Sequence, residues 1–199
     1  LAQRCDVANE QQVEACFAQA VEKMGRVDAC FANAGVSQAR ALFHELTTQE
    51  WRRVLSVNLD GAFFTLRAAA RHMVERAGRG DKGGRLVGMA SSAAIHGAQR
   101  AQSYAASKGA MVSMIRALAV EMARYGVTAN SILPGWIETD MTARGIGDEK
   151  FAGAVLPRIP VRRWGARQDF AGIAVYLASD ASSYHTGDSF VIDGAYTIF

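Results

Sequence analysis

Short, mostly apolar runs, each closed by small or turn-forming residues and each separated from the next by a helical pattern, constrain this chain more than any other feature. Val27–Ala32, Arg85–Ala90 and Val127–Leu133 lack strict polar alternation, and Ser189–Asp193 is a shorter fourth run. Strands of that kind are buried on both faces, which calls for a parallel sheet covered by helices on each side. Between them, Ala8–Gly25 carries Val13, Phe17, Val21 and Met24 at helical spacing, with Asn9 as cap and Gly25 as stop. Thr47–Arg76 holds two helical stretches with Asn58 near their junction. Gln102–Tyr125 has a stripe of Met111, Ile115, Leu118 and Met122 ending at Gly126. Thr139–Phe151 is expected to be partly helical, and Asp169–Ala178 to be a short helix with Phe170, Ile173, Ala174 and Leu177 inward. Leu1–Val7 reads as the tail of a strand ending at Asp6. The expected class is α/β, a doubly wound parallel sheet in one domain over residues 1–199.

Composition narrows the partners. A chain of 199 residues, 50% apolar, suffices for one well-buried domain. A net charge of +3 leaves no nucleic-acid footprint. Cys5, Cys16 and Cys30 are odd in number and lack CxxC spacing, which predicts reduced thiols and a cytoplasmic protein. His44, His72, His96 and His185 are scattered, so no metal is expected. No apolar run is long enough to cross a bilayer, and no membrane partner is expected.

Three of the strands end in special residues: Asn33-Ala34-Gly35, Ser91-Ser92 and Pro134-Gly135. In an open parallel sheet ligands bind outside the carboxyl ends of the strands, so these clusters should line one crevice. Tyr104 and Lys108, four apart at the head of a long helix, share one helix face on its rim. A free tyrosine titrates near about pH 10, and a nearby lysine cation would favour the tyrosinate, making a base that works near neutrality. Gly78–Gly83 matches GxGxxG but follows a helix and precedes a strand, the reverse of a dinucleotide loop, and is read as a solvated turn.

With those motifs in place, the chain resembles a short-chain dehydrogenase/reductase from Asp6 to Gly194, and the resemblance implies a Rossmann-like sheet. Asn33-Ala34-Gly35 resembles the family's NNAG turn, with Ala32 in place of the first Asn, and Asp6-Val7 matches its adenine-side Asp. The family's tetrad carries over to Asn58, Ser91, Tyr104 and Lys108; Ser91 lies thirteen residues before Tyr104, the family's usual spacing, with Ser92 beside it in the pocket. Pro134–Thr139 is similar to the PGxxxT turn, in which Ile137 and Thr139 would hold the nicotinamide carboxamide. Asp193-Gly194-Ala195 is similar to the family's DGG, with Ala for the last Gly.

The resemblance implies hydride transfer between a nicotinamide and a secondary alcohol or ketone. Tyr104 would exchange the hydroxyl proton and Ser91 would bind the substrate oxygen. Lys108 would lower the Tyr104 pKa and bind the ribose, and Asn58 would hold a water leading to Lys108. His96, Gln99, Trp136 and Met141 would face the substrate, for which a sugar acid, a β-keto acyl thioester and a small polyol all stay open. NAD and NADP stay open as well, and a homotetramer or homodimer is expected. The family's TGxxxGIG phosphate loop is not found here, so the chain is expected to be part of a longer polypeptide and to lack the first two strands. Without them the Asp6 strand would stand about 14 Å from its nearest neighbour in the sheet. The alternatives are a non-catalytic binding or regulatory module on the same fold, and an epimerase with bound NAD.

Overall fold

The computed structural model describes residues 1–199. Helix α1 spans Glu10–Met24, opened by the Asn9 side chain accepting from Gln12 N and stopped at Gly25. Its Val13 is buried, whereas Met24 lies 58% exposed on the last turn, where the helix has run past its cover. Strand β1, Ala29–Ala32, follows. Helix α2, Thr48–Leu55, passes through a π turn at Ser56–Asp60 into α3, Gly61–Gly78. Then come β2, Gly84–Met89, and the long α4, Gln102–Met122. Beyond β3, Val127–Pro134, short helices α5 (Ala143–Ile146) and α6 (Glu149–Val155) form the expected excursion, and α7, Ala171–Ala178, leads to β4, Ser189–Ile192.

The four strands are all parallel in the order β1-β2-β3-β4. Alternating side chains divide the core as a two-faced sheet requires. Leu86, Ala90, Ala129 and Leu133 pack with Leu66 and Met73 of α3 and Met111 and Ile115 of α4. Val87 and Ile132 point the other way, onto Leu177 of α7, with Phe170 and Ile173 beside them. Gly88 is what lets α4 lie close: a Cβ there would meet Met111 Sδ at 2.8 Å and Ile115 Cγ1 at 3.0 Å. The glycine-rich segment after α3 is a turn into β2, as read from the sequence.

Leu1–Val7 differs from expectation. It is not a strand, because no neighbouring strand offers it a ladder. Its backbone instead folds into a turn, with Ala8 N donating to the Asp6 carboxylate at 3.0 Å and Asn9 N to Asp6 O at 3.0 Å. Val7 rests on the start of α3, close enough that a Cβ on Gly61 would lie 2.8 Å from Val7 Cγ2.

Ala195 stands in the left-handed region at φ 72°, just after Gly194 at φ 63°. Left-handed backbone costs a Cβ-bearing residue about 1–2 kcal/mol, partly offset by the freedom a glycine would regain on unfolding. Ala195→Gly is therefore expected to stabilise the protein by about 0.5–1 kcal/mol, and a thermal melt should show a rise of about 1–4 °C.

Candidate active site

Because the sheet is parallel, Ala32, Met89 and Pro134 end their strands at one edge, and the three clusters singled out in the sequence follow directly. Asn33 and Ala34 continue from β1 and line a cleft of about 120 Å³ with Val7, Phe31, Gly61 and Thr65. Ser91 and Ser92 follow β2, both buried. Ser91 Oγ accepts from Ala93 N at 3.1 Å, so the serine caps a single 3₁₀ turn over Ser92–Ala94 and is held there. Gly135 follows β3 and donates from its backbone N to Ile192 O at 3.0 Å.

Tyr104 and Lys108 meet this edge from the first two turns of α4. Lys108 is 4% exposed, and its Nζ donates to Met89 O, the last carbonyl of β2, at 2.7 Å. Nζ lies 5.7 Å from the Tyr104 ring centroid. Burial pulls the Lys108 ammonium down to about 8. It also pushes the Tyr104 phenol up from its ordinary value, while the Ser91 hydroxyl beside it draws it down. Lys108 is not among the groups that shift the phenol here. Burial outweighs the hydrogen bond from Ser91, which is the interaction that favours the tyrosinate.

Asn58 sits in the π turn and is fully buried. Its Oδ1 accepts from Val36 N at 2.7 Å, and its Nδ2 donates to Val36 O at 3.0 Å and to Ser107 Oγ at 3.1 Å. The amide therefore pins the turn after β1 to α4. Gly35 is wedged against the same groups, since a Cβ there would meet Asn58 Oδ1 at 3.3 Å and Lys108 Nζ at 3.4 Å. Ser107, which the sequence reading passed over, links Asn58 to the Tyr104 carbonyl through a 2.7 Å bond from its hydroxyl. Gln38, also passed over, reaches α4 from the same turn. Neither had a sequence signal beyond proximity to a motif.

The remaining candidates separate. Thr139 N donates to Thr142 Oγ1 at 3.0 Å and the two hydroxyls stand 3.1 Å apart. Ile137 bridges to Gly165. Trp136 is drawn into an aromatic cluster, edge-on to Phe151 at 5.0 Å, under α6. His96 packs edge-on against Tyr196 at 5.4 Å with Nε2 buried and unpartnered. Asp6 Oδ1 accepts from Ala8 N within its own turn, and Val7 faces the cleft.

A nicotinamide nucleotide fits this edge on two observations. The buried Lys108 ammonium has three N–H groups and one protein acceptor, which leaves donors for ribose hydroxyls. The cleft lined by Val7, Asn33 and Ala34 opens at the carboxyl end of β1, on the turn that leads to Gly35. No His/Cys/Asp/Glu group could hold a metal ion, and no helix is long and apolar enough to cross a membrane.

Comparison with known proteins agrees with this fold. A sequence-family model described as enoyl-(acyl carrier protein) reductase matches residues 2–197. The chain is 35% identical over 189 residues to the 5-keto-D-gluconate 5-reductase of Escherichia coli (strain K12), covering 95% of this chain and 72% of that protein. A gluconate 5-dehydrogenase from Burkholderia cenocepacia J2315, solved in complex with NADP and tartrate, superposes with a TM-score of 0.90 at 32% identity, over 96% of this chain and 73% of that one. A short-chain type dehydrogenase/reductase from Mycobacterium marinum superposes with a TM-score of 0.89 at 34% identity, over 100% of this chain and 76% of that one.

The depressed Lys108 has a signature in stability. Its folded pKa of about 8 lies below its ordinary value of 10.5, so above pH 8 the unfolded chain holds the extra proton and stability rises with pH. Cys30, pushed by burial from 9.0 to about 11, works in the opposite direction above pH 9, so the Lys108 effect stands clear between pH 8 and 9. Across that interval denaturant titrations should show the native protein gaining about 1 kcal/mol relative to Lys108→Met.

Proposed function

The chain belongs to the short-chain dehydrogenase/reductase family, and from that premise we propose that it interconverts a secondary alcohol and a ketone by hydride transfer with NAD(H) or NADP(H), on a sugar acid or its keto form. The Escherichia coli relative is named for reducing 5-keto-D-gluconate, which supports that substrate class. The observation that carries the reading is the convergence of Tyr104, Ser91 and Lys108 at the carboxyl end of β2, with Lys108 Nζ bonded to Met89 O.

When bound, the nicotinamide supplies the hydride acceptor or donor. Asn33, Ala34 and Gly35 on one side, Pro134, Gly135, Ile137 and Thr139 on the other, and Asp6 and Val7 across the cleft would hold the nucleotide. Tyr104 and Lys108 would face its nicotinamide ribose, with the free N–H groups of Lys108 donating to the hydroxyls. Tyr104 exchanges a proton with the substrate oxygen. In reduction the phenol gives its proton to the forming alkoxide, so a phenol held protonated by burial is in the state that this direction needs. Ser91, fixed by Ala93 N, donates its hydroxyl proton to the same oxygen as charge develops there. Lys108, partly protonated near pH 8, returns a proton toward Tyr104. Asn58 Oδ1 and Lys108 Nζ both lie close to Gly35, and Asn58 would hold the water that leads to Lys108. Ser92, His96 and Trp136 are the side chains proposed to shape the substrate end.

Reduction of 5-keto-D-gluconate with NADH and with NADPH tests this in the whole protein. Tyr104→Phe should lower kcat by about 10²–10⁴, and Ser91→Ala by about 10²–10³, each with coenzyme affinity within about twofold of wild type. Full turnover by Tyr104→Phe would overturn the assignment.

A further inference from the structure

Helix α4 lacks a cap of its own. Its N-cap residue is Ala101, whose methyl group accepts nothing, although Tyr104 lies in the very first turn. The acceptor comes from elsewhere in the chain. Gln38 Oε1 accepts from Ser103 N at 2.8 Å and from the Ser103 hydroxyl at 2.7 Å, and Gln38 Nε2 donates to Gln102 Oε1 at 3.2 Å. Ser103 is fully buried and Gln38 is 8% exposed, so water does not compete for these bonds.

The turn that delivers Gln38 is itself held on both sides. Val36 is gripped by the Asn58 amide, Ser37 O accepts from Arg53 Nη2 at 2.7 Å, and Ala39 N donates to Glu50 Oε1 at 2.6 Å. Glu50 is in turn paired with Arg53 through a 2.7 Å bond, which keeps its carboxyl down at about 2 and so ionised across the working pH range. A side chain projecting from so rigid a turn can fix the place of what it touches. What it touches is the residue immediately before Tyr104.

We infer that Gln38 is a positioning residue for the reaction: it caps α4 from outside and thereby sets where the Tyr104 hydroxyl stands relative to Ser91 and to the turn beside Gly35. The inference rests on Tyr104 as the proton-exchanging group. With the acceptor removed, Ser103 N and Oγ are left buried without a partner, and the first turn of α4 moves to find one. A displacement of about 1 Å at a reacting group costs about a hundredfold in rate.

Steady-state reduction of 5-keto-D-gluconate, with coenzyme affinity measured separately by NADH and NADPH fluorescence titration, reads this directly. Gln38→Leu should lower kcat at least about tenfold while the coenzyme Kd stays within about twofold. Gln38→Glu keeps the Oε1 acceptor and should retain kcat within about threefold, a rescue that a purely space-filling role would not give. Ser103→Ala removes one of the two bonds and should cost about threefold or more, with no further loss when combined with Gln38→Leu. It also carries the test should Gln38→Leu not fold. Wild-type kcat in Gln38→Leu, or in Ser103→Ala in its place, alongside an inactive Tyr104→Phe, would overturn the role of Gln38 and leave the catalytic assignment standing. Equal losses in Gln38→Leu and Gln38→Glu would overturn the capping role. An active Tyr104→Phe would remove the assignment on which the inference rests.

Discussion

The bond from Lys108 Nζ to the Met89 carbonyl joins the two parts of the molecule that must not drift, the tip of the central strand β2 and the start of the longest helix. Taking an ammonium out of water costs several kcal/mol, and one carbonyl cannot return all of it. The remainder appears as a lysine pulled down to about 8. This residual cost is tolerable because the surrounding packing is dense: Gly88 brings α4 onto the sheet, and Met111 and Ile115 fill the seam below Lys108 with no room for a Cβ between them. The same density raises the Tyr104 phenol. Both side chains therefore sit in an environment that resists charge, with Ser91 and the free N–H groups of Lys108 as the polar handles within it.

Around that bond the polar side chains form one connected frame. Asn58 grips both backbone groups of Val36 and the Ser107 hydroxyl, and Ser107 passes the link to the Tyr104 carbonyl. Gln38 ties the same turn to Ser103. The turn after β1 and the head of α4 are thus laced at two points, one turn of helix apart, on either side of Tyr104. A π turn at Ser56–Asp60 accompanies this arrangement and carries the fully buried Asn58. Irregular helix of that kind marks functional positions more often than chance would place it there. Here its visible product is an amide aimed into the seam between β1 and α4.

Much of this was legible beforehand, for identifiable reasons. Runs such as Arg85–Ala90 betray a doubly buried parallel strand through composition alone, and Tyr104 and Lys108 share a helix face by the geometry of four-residue spacing. Asn58 was visible only through resemblance, because a single Asn among apolar neighbours carries no local signal. Ser107 and Gln38 were not visible at all. Their partners lie 49 and 65 residues away in sequence, and no periodicity encodes a bond of that span. Leu1–Val7 went astray for a related reason: its composition suits a strand, but a strand exists only where another strand is hydrogen-bonded to it.

Local patterning therefore settled which segments are helix or strand, that the sheet is parallel and two-sided, and which residues close its strands at one edge, since these follow from short-range sterics and from which side chains avoid water. Only the tertiary structure decided the electrostatic state of the site. Whether the phenol is made more or less acidic depends on how deeply α4 is pressed against β2, and that depth is set by contacts between residues far apart in the chain. Desolvation is a property of the whole packed environment, so it cannot be read from a motif.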